Sequence, residues 1–553
     1  MTVPMLMKIG AWGDGLTRFN ISQRPKLIPY LREHLGVESF PDHPWTWEPK
    51  NVGIPPSSLS ESFVREMRSI LGAEDLSQDP IVRFRHATGK SYKDLLRVRL
   101  NKVESFPDAV VFPRDEEVLA RLLSLCSREG VAVVPFGGGT SVVGGVDPLK
   151  GRFSSVLTLN MQRMNRVLQI DEASQTATIE AGILGPDMER QLNDRGYTLG
   201  HFPQSFEFSS LGGWLATRSS GQNSICYGGI EKMVVALRMV TERGIYQTPL
   251  VPRHACGPDL KELFLGTEGT FGIFSSAVLH VHRVPERKEY FLVAFPSFRM
   301  AAEAVRQVVQ NKVPVAMLRL SDEDETHAMF HFVEATKINP VKQMVETLGK
   351  SYLKLRGIFP PKMAALMVGL EGSREQISER RAWLKQILGE HRYMNLGSAP
   401  GRKWLKDRFF LPYFRDDCLD YGLFLDTFET ATEWSNLFHL YETVRGNIAE
   451  VFRRDGLKLK LYTHVSHLYQ DGAALYFTIL GQQGKDPLAQ WHRVKEIANT
   501  SVLGSGGVIS HHHGIGVDHK NHQYGDALVK RLFRQVKHDL DPEGILNPEK
   551  WNN

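Results

Sequence analysis

The sequence predicts an α+β protein of several domains, on three observations. At 553 residues the chain exceeds the scale of one core, which is ~150 residues per domain. Strand-like and helix-like runs alternate from about Phe106 onward, with no internal repeat and no low-complexity tract. Zones dense in Gly, Ser and Thr break that alternation at 137–141, 205–229 and 266–272. Apolar residues make up 42% and charged residues 23%, near the globular average, which excludes a disordered tail, a collagen-like fibre and a coiled coil. Lys and Arg number 67 against 62 Asp and Glu, a balance that argues against nucleic acid, since duplex binders gather their cations on one face. The small basic excess favours anionic ligands or an anionic membrane surface.

Residues 1–103 form an N-terminal extension, aromatic and Pro-rich at first and helical around Ser60 to Leu71, where Phe63, Met67, Ile70 and Leu71 share a face. A first domain covers 104–286. Ala109 to Phe112 reads as a buried strand, and Pro113 to Glu117 opens a helix with acids in the turn where the dipole favours them. Val118, Leu119, Leu122, Leu123 and Cys126 continue that helix until Gly130 stops it. Val131 to Phe136 is a strand that runs straight into glycines. Strands at Ser155 to Leu159 and Thr176 to Ala181 and a helix at Pro186 to Arg195 follow. A second α+β domain covers 287–500, with helices at Arg299 to Gln310 and Ser373 to Leu388 and strands at Val315 to Leu320 and Ala364 to Leu370. The segment 501–553 carries three histidines and a closing helix from Gly525 to Leu540.

Three motifs carry chemistry. In Pro135-Phe136-Gly137-Gly138-Gly139-Thr140-Ser141, successive glycines after a strand let backbone N–H groups turn towards one point, an anion nest that suits a pyrophosphate. It is neither a Walker loop nor a Rossmann fingerprint. The stretch from Gly200-His201-Phe202-Pro203 through Gln204, Ser205, Ser209, Ser210, Gly212, Gly213, Thr217 and Ser220 lets a flat, hydrogen-bonding ligand lie against main chain. In the third, a helix ends in Gly266-Thr267-Glu268-Gly269-Thr270-Phe271-Gly272-Ile273 and a strand begins.

Those segments, in that order, resemble the flavin-binding (PCMH-type) domain of vanillyl-alcohol oxidase-type flavoenzymes. The resemblance implies a two-subdomain FAD-binding domain with an α+β cap domain. It implies FAD with its pyrophosphate on Pro135 to Ser141, and its rings against Gln204 to Ser220 and Glu268 to Ile273. Covalent members attach FAD through a His or Cys near the loop; 131–147 contains neither, so the expectation is non-covalent FAD.

Within that superfamily the chain is similar to the alkyldihydroxyacetonephosphate synthase family, from Lys8-Ile9-Gly10-Ala11-Trp12-Gly13-Asp14 to Asn547-Pro548. The more specific marks are Gly200 to Pro203, Leu318-Arg319-Leu320, Phe414-Arg415-Asp416, Thr427-Phe428-Glu429-Thr430, Asp471 to Phe477 and His511-His512-His513-Gly514-Ile515-Gly516. The resemblance implies that Tyr476 is the catalytic acid/base and Arg415 the contact to substrate phosphate. His201, Arg319 and His511, His512 and His513 complete the active-site shell. From the residues alone each position has a plainer alternative. Tyr476 sits in an apolar strand where a packed ring is the default. Arg319 interrupts an apolar strand and needs an anion, which a ligand or a buried carboxylate supplies equally well. Arg415 stands beside Asp416 and Asp417. Three histidines in an extended segment alternate, so two at most share a face.

Two chemistries share this domain. The synthase family exchanges the acyl group of acyl-dihydroxyacetone phosphate for a long-chain alcohol through a flavin N5 adduct, with no net oxidation. That needs an acid/base, a cation and an apolar tunnel. The alternative is an FAD-linked dehydrogenase of D-2-hydroxy acids, whose H-x-x-D-G-N-x-H metal motif is degraded here around Asp471-Gly472-Ala473, so no metal is expected. Gln204, and Asp518 after the His run, depart from the synthase pattern. The run 348–362, with four basic residues among Tyr, Leu, Ile and Phe, reads as a membrane-surface or tunnel-mouth element or as a solvated face. Four dispersed cysteines, no signal peptide, no spanning segment and no peroxisomal tripeptide lead to the expectation of a cytoplasmic protein, peripheral at a membrane surface, with a lipid substrate, no nucleic-acid partner and, by analogy, a homodimer.

Overall fold

Helix Glu116–Glu129 is the hub of the first domain. Asp115 caps it by accepting from the Val118 N–H (2.8 Å), and Gly130 ends it at φ 62°. Its buried Leu119, Leu122, Leu123 and Leu125 contribute about 1.5–3 kcal/mol each. They pack in one cluster with strands from two sheets. The computed structural model describes residues 6–38, 45–47, 53–332, 357–359, 362–522 and 525–551. The first sheet has Val131–Phe136 and Ala109–Val111 parallel on either side of Ser155–Asn160, with Leu76–Ser77 as an antiparallel edge. The second is antiparallel, in the order Val167–Asp171, Thr176–Glu180, Ile273–His280, Val234–Thr241, Gly244–Gln247.

The second domain is built on a seven-stranded antiparallel sheet, in the order Met394–Gly397, Arg287–Phe295, Ala364–Gly372, Met317–Ser321, Leu459–Leu468, Gly472–Gln482, Leu423–Glu433. Helices Phe298–Gln310, Arg374–Gly389, Leu437–Arg454 and Pro487–Gly504 cover one face, where Phe424, Phe428, Phe477 and Ile479 are buried. The other face turns towards the glycine loop. Alternation along each strand decides which residues go where.

Both ends of the chain are tied into this frame. Helix Leu27–Leu35 buries Leu27, Tyr30, Leu31 and Leu35 against Tyr413, Phe414 and Cys418 of helix Leu411–Asp420 and against the edge of the seven-stranded sheet. After helix Ala527–Leu540, the chain returns to the strand that feeds the glycine loop: Val133 N–H donates to Ile545 O and Asn547 N–H to Val133 O, both at 2.8 Å. The buried Lys537 ammonium donates to Thr270 O (2.7 Å) and Leu546 O (2.9 Å) and pairs with Asp541.

Several expected elements differ in extent, and some elements were not foreseen. The strand expected from Val315 runs Met317–Ser321, because Val315 N–H donates to Val313 O (2.8 Å) across Pro314 and the chain turns there first. The helix expected from Pro186 to Arg195 runs Gly185–Asn193, and the closing helix begins at Ala527 with Asp526 as its cap. Helices Leu27–Leu35, Pro80–Arg85 and Tyr92–Arg99 and strand Val167–Asp171 have no counterpart in the sequence reading. The basic aromatic run 348–362 lies outside the described residues except for 357–359 and 362. No described helix is long and apolar enough to cross a membrane.

Candidate active site

A cavity of about 870 Å³ lies between the glycine loop and the open face of the seven-stranded sheet. Its floor is the loop itself. A Cβ on Gly137 would come within 2.0 Å of Ser210 Oγ, and one on Gly138 within 1.4 Å of Phe208 O, so the loop's main chain packs directly on the Ser210 side chain and the Phe208 main chain. Only Gly139 of the three has a positive φ, 69°. This corrects the expected reason for the run: two glycines are there for close approach and one for the turn. The Ser209 hydroxyl accepts from Trp214 Nε1 (2.8 Å) and Ser210 caps helix Leu211–Thr217, so both have local duties as well.

The wall is one row across the sheet. Ser321 pairs with His464, His464 with Tyr476 and Tyr476 with Glu429 on four neighbouring strands. Paired residues project from the same face. The His464 ring stacks on Tyr476, with centroids 4.8 Å apart and planes at 18°. Burial raises the Tyr476 hydroxyl above its ordinary range, against a hydrogen bond with Thr427 and the nearby Arg415 charge. Arg319 donates to Ser321 Oγ (2.9 Å) and Glu325 Oε1 (2.8 Å), so the anion it needs is a protein carboxylate. Burial pushes Glu325 up, but Arg319 and His464 outweigh it and hold the carboxyl well below its usual value.

Arg415 is different. It lines the cavity from helix Leu411–Asp420, is 9% exposed, and makes no hydrogen bond or ion pair with any described residue. Burial lowers its basicity, partly offset by Asp416 and Asp426. A buried guanidinium with unfilled donors calls for an anion.

The histidine run does not alternate as an extended segment would. It wraps around Glu429, whose carboxylate accepts from the N–H of His511 (2.5 Å), His512 (3.0 Å) and His513 (2.9 Å) and from Ser510 Oγ (2.9 Å). Glu268 of the glycine-loop domain then accepts from Ile515 N–H (2.6 Å) and Gly516 N–H (2.9 Å). His512 and His513 line the cavity, while His511 turns back to the Tyr469 hydroxyl (2.6 Å). Nitrogens of His467, His511 and His512 fall within 4.8 Å of one another. Hydrogen bonds engage each of them, His467 Nδ1 with Ser224 Oγ outside the cluster and His511 Nδ1 with His512 Nδ1 within it, both at 2.9 Å.

Of the expected site residues, Tyr476, Arg319, Arg415, His512 and His513 line the cavity, as do all those expected at the cofactor except Thr270. Thr270 is fully buried and donates to Thr267 O (2.7 Å). His201 also lies outside the lining, in the glycine-loop domain, fully buried, with Nε2 at 3.2 Å from Ser219 Oγ and burial lowering it to about 3. Asp518 lies away from the cavity, paired with Lys93.

Comparison with known proteins adds a family to this geometry. The FAD binding domain family model matches residues 107–248, and the model for the C-terminal domain of FAD linked oxidases matches 284–551. The chain is 35% identical to an alkyldihydroxyacetonephosphate synthase of Dictyostelium discoideum, over 95% of this chain and 87% of the relative. It is 37% identical to one of Trypanosoma brucei brucei, over 90% and 81%. The chain belongs to the alkyldihydroxyacetonephosphate synthase family. A solved structure of an alkyldihydroxyacetonephosphate synthase superposes with a TM-score of 0.85 at 32% identity, covering 99% of each chain. A 4-ethylphenol oxidase from Gulosibacter chungangensis, at 16% identity and TM-score 0.66 over 90% of this chain and 99% of that one, shares the fold.

FAD is the cofactor of this family member, and the site fits it. Among the described residues nothing accepts from the N–H groups of Gly138, Gly139, Thr140 or Ser141, all of which line the cavity, so four donors are left for a diphosphate. Glu325, His464 and His467 have no site role in the sequence reading, and Thr427 and Glu429 enter it only as part of a family mark. The signal for Glu429 is the alternation of Leu425, Thr427 and Glu429 against Phe424 and Phe428, which puts an acid on the face away from the core.

Proposed function

We propose that this FAD-dependent enzyme exchanges the acyl group of acyl-dihydroxyacetone phosphate for a long-chain alcohol, releasing a fatty acid. The observation that carries the reading is Arg415, a buried cation without a hydrogen-bond or ion-pair partner among the described residues, lining the same cavity as Tyr476. Phosphate is the anion that its planar donors match. The same cavity is lined by Phe19, Leu292, Met367, Leu396, Trp404 and Phe410, apolar side chains suited to long chains. Relatives named alkyldihydroxyacetonephosphate synthase support the same substrate class.

In this reading Arg415 anchors the phosphate and so fixes the dihydroxyacetone carbons relative to Tyr476. The Tyr476 hydroxyl, kept protonated by burial, holds the proton exchanged with that carbon frame, and Arg415 eases its departure. His512 and His513 form the polar side of the site, with Arg319 fixing His464 beneath the tyrosine ring and His201 and His511 outside the lining. Pro135 to Ser141 hold FAD without a covalent bond, since 131–147 has no His or Cys. When bound, FAD supplies a ring able to bond reversibly to carbon, the chemistry an exchange without net oxidation needs. The basic aromatic run 348–362 supports peripheral contact with a membrane. Likeness to the family is the support for a homodimer.

The test incubates FAD-loaded protein with acyl-dihydroxyacetone phosphate and labelled hexadecanol, beside D-lactate and D-2-hydroxyglutarate with an artificial electron acceptor. Label in the ether product is expected. Acceptor reduction by a hydroxy acid, with no ether formed, overturns the reading.

A further inference from the structure

We propose that Glu429 is a positioning residue for this reaction: one buried carboxylate that gathers the main chain of His511, His512 and His513, fixing where their imidazoles stand and giving them the one negative charge they share. The proposal rests on the exchange reading only for what the imidazoles serve.

The geometry is unusual for a carboxylate. Glu429 is 3% exposed, and among the described residues it forms no ion pair with Lys or Arg. Three successive N–H groups converge on it as they would on a bound phosphate, with Ser510 Oγ as a fourth donor. The donors fall on both oxygens, His511 N–H on Oε2 and the other three on Oε1, so a carboxylate satisfies all four where an amide could not, and burying its charge is costly. The groups that use the charge are the imidazoles: His513 Nδ1 lies 3.5 Å and His512 Nδ1 3.9 Å from the carboxylate. Glu429 is also the cross-strand neighbour of Tyr476, whose ring meets that of His513 edge-on at 5.9 Å. One side chain thus sets the histidine loop against the tyrosine.

Other charged and titratable groups face the cluster from each element packed on it. They are Asp426 and Tyr476 from the sheet, His467 and Tyr469 from the strand end and turn, Lys495 from helix Pro487–Gly504, His519 from the segment after the histidine run, and His201 from the glycine-loop domain. Burial lowers all three imidazoles, and Glu429 is the foremost influence raising each of them. Lys495 and the neighbouring imidazoles act in the same direction as burial. Without the carboxylate, the histidines titrate at lower pH.

Glu429→Gln keeps an oxygen for three of the four donors, replaces the acceptor of the His511 N–H by an amide NH2, and removes the charge. In the FAD-loaded protein we expect kcat for the exchange to fall about 10- to 100-fold, the range for groups that orient another active side chain. KM for acyl-dihydroxyacetone phosphate should hold, and histidine signals in 13C-labelled protein should titrate at lower pH. A kcat within about twofold of the parent, or an unmoved titration, overturns the proposal. Should Glu429→Gln fail to load FAD, Glu429→Asp carries the test, with charge kept and the carboxylate drawn back by one methylene. Lower kcat with parental titration is then expected, and parental kcat overturns the proposal. The titration needs no substrate, so a parent protein inactive in exchange sinks the functional reading and leaves this one to be decided by the histidine signals.

Discussion

Arg415 and Arg319 line one cavity, yet among the described residues only Arg319 of the two has acceptors, in Ser321 and Glu325. Their removal should therefore have opposite effects on stability. Arg415→Met deletes a buried charge that Asp416 and Asp426 offset only in part and that has no hydrogen-bond or ion-pair partner among the described residues, so the melting temperature should hold or rise while KM for a phosphorylated substrate climbs. Arg319→Met leaves Glu325 buried without its cation and should cost about 3–5 kcal/mol, read as a lower urea midpoint. A fall in stability for Arg415→Met as large as that for Arg319→Met would mean that Arg415 has a structural partner. At this scale the sequence showed that an arginine in an apolar strand needs an anion. Which anion was hidden, because Glu325 reaches it from a helix that folds back over the strand.

At the scale of elements, the strand, helix, strand and glycine-loop order was readable from periodicity and caps. Asp115, Gly130 and the leucine stripe act as their types dictate. The function of the glycines was less readable, since Phe208 O and Ser210 lie some 70 residues away in sequence. Gly138→Ala should abolish flavin loading, because its methyl would meet a main-chain carbonyl that cannot swing aside; visible absorbance of the purified variant checks this. The histidine run was legible as a loop over a ligand and illegible in shape. Local pattern gives alternation, whereas distant carboxylates at 268 and 429 gather its N–H groups. The face of the seven-stranded sheet that bears Tyr476 lay open in the alternation itself, in Leu425, Thr427 and Glu429 against Phe424 and Phe428.

Across the whole molecule, residues 511–516 join the two large domains, one carboxylate from each holding the same loop. The two carboxylates differ in protonation. The three histidines hold Glu429 well below its ordinary range against burial, whereas burial lifts Glu268 to about 7 despite the N–H groups of Ile515 and Gly516. A carboxyl raised on folding favours the native state at low pH, and that contribution is lost as pH rises through the folded value. FAD-loaded parent protein should therefore lose on the order of 3 kcal/mol relative to Glu268→Gln between about pH 4.5 and pH 8. Thermal melts of both across that range measure it, and parallel curves would refute it.

The return of the chain's last residues to Val133 has a consequence for biosynthesis. The strand that launches the glycine loop emerges from the ribosome some 400 residues before Ile545 and Asn547, which complete its edge. Asn547 also holds the backbone carbonyls of Glu268 (2.6 Å) and Gly145 (3.3 Å). Residues 545 to 547 must therefore be made before the cradle can close, and a polypeptide cut short ahead of them, however much of its catalytic wall is made, is left without a finished seat for the vitamin-derived nucleotide.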